Sequence, residues 1–230
     1  MQSNYERVIC PIQENPVIAD ATIVNTTYDC DGYRISCISM SKGTYMALER
    51  FRSPVLIMVR KGEMRIDVKG HDDTETRSAL IKAGQGYFRP ANEYAGYFAD
   101  TENVIFTEIV LCADSEIAMR IIPHLVQDIM HLVHYEPGQV SRSHLINDEF
   151  FQLNMLAYSE SEKIDFCCSK QPVSIDCIEG KVTIQHEEDK NDLLPGNSFR
   201  IPADYVCTVF VSCRTKIIVL YLSDAQRHII

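Results

Sequence analysis

The chain of 230 residues has no apolar run that approaches the roughly 20 residues needed to cross a bilayer as a helix. It also lacks an excess of positive charge. Its 22 Lys and Arg stand against 32 Asp and Glu, a net charge of -10. Phosphate backbones and anionic lipid surfaces attract basic proteins, so neither nucleic acid nor membrane is an expected partner. The segment Met1 to Arg7 has neither the basic start nor the apolar block of an export signal, and a cytoplasmic location is expected. No Cys-x-x-Cys pair occurs among the nine cysteines. Their number is odd, and Cys167 and Cys168 are direct neighbours, so free thiols are expected rather than a disulfide framework or a zinc knuckle. The sequence has no glycine-rich phosphate loop, no dinucleotide fingerprint after a strand and no Gly-x-Ser-x-Gly elbow. No helix-turn-helix pattern is appended either.

What the chain does contain is a series of short segments rich in β-branched and aromatic residues. Val55–Val59, Val104–Val110, Val173–Ile178, Val209–Val211 and Lys216–Leu222 have the length and composition of strands. Glycine turns separate them at Gly62, Gly84, Gly180 and Gly196. An all-β sandwich or barrel is predicted. The stretch Ser115 to Tyr135 differs, because part of its apolar spacing is helical while Pro123 interrupts it. It reads as a connector with a short helical piece.

The two halves repeat one another. Val59-Arg-Lys-Gly62-Glu-Met-Arg-Ile66 parallels Cys177-Ile-Glu-Gly180-Lys-Val-Thr-Ile184. Gly84, followed at the same spacing by Pro90 and Asn92, parallels Gly196, Pro202 and Asp204. Two matches in the same order point to an internal duplication.

This punctuation resembles the cupin superfamily. The resemblance implies two cupin (double-stranded β-helix, jelly-roll) barrels in one chain, joined by a short, partly helical connector. The boundaries expected are 1–114 for the N-terminal module, 115–135 for the connector and 136–230 for the C-terminal module. The family's first motif is G-x5-H-x-H-x3-E-x6-G, and its second is G-x5-P-x-G-x2-H-x3-N. In the first half, Gly43 and Gly62 bracket the first motif. The histidine places then hold Glu49 and Phe51, the glutamate place holds Val55, and the last histidine place holds Ala95. In the second half the same places hold Cys167, Ser169, Val173 and Cys207. None of the seven histidines falls on a ligand place. The resemblance therefore implies a scaffold whose metal site is missing from both modules, and no cofactor is expected.

Strand alternation directs Cys167, Cys177 and Cys207 to the interior of the second barrel. They read as small residues filling it, with a soft-metal thiolate cluster as the alternative. In the first barrel the same alternation turns Tyr45, Glu49 and Tyr97 inward, with Arg89 beside them. Glu49 reads either as a general base or amine-binding group, or as a solvated rim residue. The ligand-pocket candidates are Tyr45, Glu49, Phe51, Val55, Arg89, Ala95, Tyr97, Cys167, Ser169, Val173, Cys177 and Cys207. His131 and His134, three residues apart in the connector, read as surface or interface groups.

Three functions fit these residues. The first is a metal-independent protein that binds an unknown small molecule, for sensing or sequestration. The second is an enzyme of isomerase or lyase type that uses Glu49 or a cysteine. The third is a structural protein with filled barrels. A homodimer is expected in each case.

Overall fold

The computed structural model describes residues 8–29, 32–111, 121–147, 151–167, 171–212 and 214–222, with side chains for all of these except 165–167. The strands of the first half are β1 (Val8–Ile9), β2 (Thr22–Asp29), β3 (Tyr33–Met40), β4 (Tyr45–Phe51), β5 (Val55–Lys61) and β6 (Glu63–Lys69). They continue through β7 (Arg77–Lys82), β8 (Gln85–Arg89), β9 (Glu93–Phe98) and β10 (Val104–Leu111). One helical turn, α1 (Pro11–Glu14), follows β1. The short β11 (Gln127–Asp128) and a 3-10 turn at Ile129–Leu132 lead to the second half. There the strands are β12 (Val140–Asn147), β13 (Phe151–Tyr158), β14 (Glu162–Cys167), β15 (Val173–Glu179) and β16 (Val182–His186). The last four are β17 (Asp189–Leu193), β18 (Ser198–Ile201), β19 (Val206–Val211) and β20 (Thr215–Leu222). The protein is all-β, as expected. Among the described residues, no helix is long and apolar enough to cross a membrane.

The chain divides into two compact units. The first contains a six-stranded sheet in the order β11-β8-β5-β10-β3-β2 and a four-stranded sheet in the order β4-β9-β6-β7. The second contains sheets in the orders β1-β18-β15-β20-β13-β12 and β14-β19-β16-β17. One order maps onto the other strand by strand. The strand that closes each six-stranded sheet comes from outside the regular series. Val8 pairs with Phe199 in the second unit, whereas Gln127 pairs with Gly86 in the first. Val8 and Val126 each pack against the core of the unit they join.

Each core lies between its two sheets. In the first unit it includes Ile38, Ile57, Ile66, Tyr97 and Phe106, and in the second Ile175, Ile184, Phe199, Val209 and Ile217. Alternation builds these faces. Glu63–Lys69 switches between half-buried and buried at every residue, with Met64, Ile66 and Val68 turned inward. A large aliphatic side chain buried in this way contributes about 1.5–3 kcal/mol.

The turns match the sequence pattern for a steric reason. Gly62 and Gly180 have φ angles of 78° and 81°. A Cβ at Gly62 would meet the Asn103 carbonyl oxygen at 2.2 Å, and one at Gly180 would meet Thr215 Oγ1 at 2.5 Å. Asn92 and Asp204, which occupy the family's glycine place, have φ angles of 63° and 61°. Asn and Asp tolerate this left-handed region better than other side chains, so the turn survives without glycine.

Candidate functional site

The two barrels differ most at the end of the first barrel, where β4, β5, β8 and β9 terminate. Arg89 is the last residue of β8 and pairs with Val55, the first residue of β5. Val55 and Tyr87 belong to the buried core, so the two-residue period of β8 turns Arg89 inward with them. Its side chain has no exposed surface. Arg89 Nη1 donates to the Pro90 carbonyl at 2.8 Å, and Nη2 donates to the Ser53 carbonyl at 3.0 Å. The guanidinium thus ties the β4–β5 loop to the β8–β9 loop. It also lies 4.7 Å from the centre of the Phe51 ring. Its Nε–H is buried and has no well-aligned hydrogen-bond partner, although the Tyr97 hydroxyl lies close enough to the guanidinium for a weak side-chain hydrogen bond. An orphaned donor of this kind costs on the order of 1–3 kcal/mol.

Tyr97 and Glu108 complete the polar layer. The Tyr97 hydroxyl donates to Glu108 Oε1 at 3.0 Å, and both residues are buried. Burial raises the Glu108 carboxyl above its ordinary value, while the Tyr97 hydrogen bond and the charges of Arg34 and Arg89 oppose that rise. Burial likewise holds Tyr97 neutral, reinforced by the Glu108 charge. Burial weakens the basicity of Arg89, and the surrounding Tyr97, Glu93 and Glu108 partly restore it.

A second group stands beside this layer. Glu93 begins β9 and pairs with Phe51 at the end of β4. Its Oε1 lies 3.3 Å from His124 Nε2, while its Oε2 is buried without a hydrogen-bond partner. The Tyr87 hydroxyl lies 3.3 Å from His124 Nδ1, and the His124 backbone N–H donates to the Phe88 carbonyl. The strap around His124, anchored on β8 by Gln127 and Asp128, therefore holds an imidazole against the barrel end.

Several expected pocket residues meet here. Phe51 is half-buried, while Val55, Arg89, Ala95 and Tyr97 are buried. Tyr45 and Glu49 require correction. Tyr45 is 65% exposed and stacks on Phe98 along the outer face. The cause is a bulge. Met46 pairs with Tyr97 and Glu49 with Ala95, so β4 carries one extra residue between these pairs, opposite Gly96. The extra residue reverses the phase of the strand, so Tyr45 and Phe51 lie on opposite faces. Glu49 pairs with inward-facing Ala95, yet its side chain is exposed. It is thus at the rim rather than within an enclosed pocket.

In the second barrel Val173, Cys177 and Cys207 are buried. Burial pushes the Cys177 thiol up to about 11, with Asp176 adding to the effect, and pushes the Cys207 thiol up to about 11. Both are neutral thiols with the character of small core residues. Ser169 and the Cys167 side chain lie outside the described residues. Among the described residues, no group of three His, Cys, Asp or Glu side chains is placed to hold a metal ion. At the first barrel's ligand places, Phe51, Val55 and Ala95 carry no donor atom, so these residues do not fit a transition metal. His131 and His134 are exposed, as expected of surface groups.

The sequence reading missed Glu93, Glu108 and His124. Glu108 carried a usable signal, because it shares the inward phase of Val104 and Phe106, and the other positions on that phase of the strand are apolar. His124 carried none. Only the path of the connector brings it to β8.

No family model matches the chain, and no curated protein matches it in sequence. Solved structures do match its fold. A cupin 2 conserved barrel domain protein from Leptotrichia buccalis is 12% identical, with a TM-score of 0.80 over 96% of this chain and 99% of that one. A putative glyoxylate-induced protein from Pseudomonas aeruginosa is 11% identical, with a TM-score of 0.63 over 99% of this chain and 92% of that one. A vicilin from Solanum melongena, described as holding different anionic ligands in structurally similar pockets, is 10% identical. It has a TM-score of 0.50 over 85% of this chain and 76% of its own. These similarities establish the cupin fold.

Proposed function

We propose that this chain is a metal-independent, small-molecule-binding bicupin in which the first barrel receives the ligand and the second serves as scaffold. The observation that carries this reading is the complete burial of Arg89 with an unpaired Nε–H. A buried charge with a free donor is costly for a structural residue and useful for a binding one. The guanidinium lies over Phe51, one of the places where the resemblance puts a metal ligand, so it supplies a fixed positive charge without a metal. The ligand accordingly presents an anionic or strongly accepting group to Arg89, as the Solanum melongena vicilin's anionic ligands illustrate for the same fold.

The exposure of Glu49 weighs against an enzyme built on that residue. The apolar core of the second barrel favours a structural role for that module. A thermal-shift screen of small anions and neutral metabolites tests the proposal. At least one compound should raise the melting temperature of the wild type and leave the Arg89→Met variant unchanged. Stabilisation that is equal in both proteins, or absent for every compound, would sink the reading.

A further inference from the structure

The first barrel has a second orphaned polar atom beside Arg89 Nε, and its sign is opposite. Glu93 Oε2 is a buried acceptor without a partner. Arg89 and Glu93 flank a tight turn in which Asn92 adopts a φ of 63°. The turn places one residue at the end of β8 and the other at the start of β9. Neighbouring pairs fix the two strands: Arg89 opposite Val55, and Glu93 opposite Phe51. Glu93 is close enough for its charge to stabilise the Arg89 cation, yet no direct ion pair forms between them. The other bonds of each side chain hold it in place. Arg89 is tied to Pro90 and Ser53, while Glu93 Oε1 is held by His124. One donor and one acceptor are thus fixed at the same barrel end and left unpaired.

Resting on the binding function proposed above, we infer that the ligand is a small carboxylic acid that carries a neighbouring hydrogen-bond donor, either a hydroxyl or an ammonium group. Its carboxylate accepts the Arg89 Nε–H, and its donor satisfies Glu93 Oε2. The second barrel has Ile201 at the place of Arg89 and Tyr205 at the place of Glu93, so this complementarity belongs to the first barrel.

Isothermal titration of the full chain with glycolate, glycine, acetate and ethanolamine tests the inference. Glycolate or glycine should bind at least about tenfold more tightly than acetate or ethanolamine, because acetate leaves Glu93 Oε2 without a donor and ethanolamine offers Arg89 only a neutral hydroxyl in place of a carboxylate. The preference between glycolate and glycine identifies the donor as hydroxyl or ammonium. Arg89→Met should abolish binding of both. Glu93→Gln should remove their advantage over acetate, and circular dichroism of both variants should match the wild type. Equal affinity for acetate and glycolate, or a preference that survives Glu93→Gln, overturns the inference. Failure of all four probes, alongside a different compound whose stabilising effect requires Arg89, overturns this ligand class and leaves the proposed function standing. If no compound depends on Arg89, both fall.

Discussion

Val55 in the first barrel faces Arg89, whereas Val173 in the second faces Ile201. Ile66 pairs with Tyr97, and Ile184 with Val209. Ile57 pairs with Glu108, and Ile175 with Val219. The partner in each pair is conserved in kind between the barrels, while the residue across from it changes from polar to aliphatic. Strand order and turns do not require this exchange, since both barrels form the same sheets. The second barrel shows what the architecture needs for stability, namely an apolar filling of aliphatic, aromatic and thiol side chains. The first shows what has been added against that need. Buried polar groups cost stability unless they are satisfied, so the exchange at these three matched positions is a mark of use.

The comparison can be broken by moving its central residue. Ile201→Arg places a guanidinium in the second barrel without the Tyr97 and Glu108 counterparts. It should cost roughly 3–5 kcal/mol in urea unfolding, the range for an uncompensated buried charge. Arg89→Met, the converse change, removes the cation from beside Tyr97, Glu93 and Glu108 and frees the Ser53 and Pro90 carbonyls, so it should cost stability, but less than Ile201→Arg, because Glu108 can take up a proton once the cation is gone. A large loss in Arg89→Met would show that the polar layer is structural.

The shared turn sharpens the comparison at smaller scale. Gly62→Ala should cost about 3 kcal/mol, because the new Cβ meets a fixed backbone carbonyl at a left-handed position. Gly180→Ala should cost somewhat less, because its closest backbone contact, the Arg214 carbonyl, lies at 2.8 Å rather than 2.2 Å, although Thr215 Oγ1 at 2.5 Å is held by its hydrogen bonds to Ser212. Chemical denaturation of the two variants side by side gives the order, and a reversed order would contradict the geometry.

The smallest effect concerns pH. Burial raises the Glu108 carboxyl above its ordinary value of 4.5. A group with a raised folded value contributes its stability fully below the unfolded value and loses it as pH rises through the folded one. Glu108→Gln cannot ionise and keeps an acceptor for Tyr97. The melting temperature of the variant should therefore gain on the wild type as pH rises from 4.5 upward. A constant difference across that range would show that Glu108 ionises as easily in the folded chain as in the unfolded one.

Much of the fold was legible in advance because its signals are local. β-branched segments of strand length, glycines at left-handed turns and the spacing from Gly84 to Pro90 each act through a few neighbouring residues, and the duplication doubled every one of them. The polar layer was only partly legible. Arg89, Tyr97, Phe51, Val55 and Ala95 could be placed by counting from a turn. Tyr45 could not, because the bulge opposite Gly96 reverses the phase of β4 and a bulge leaves no clear trace in alternation.

The amino-acid sequence by itself determined the all-β class, the two repeats, the turn positions and the lack of donor atoms at Phe51, Val55 and Ala95. These follow from side-chain type and from spacing along one strand. Only the tertiary structure decided that Arg89 is fully buried with a free Nε–H, that Glu93 Oε2 is left unpaired beside it, and that His124 reaches β8 from the connector. Pairing between distant strands sets burial and hydrogen-bond satisfaction, and no local pattern encodes which donor will be left without an acceptor.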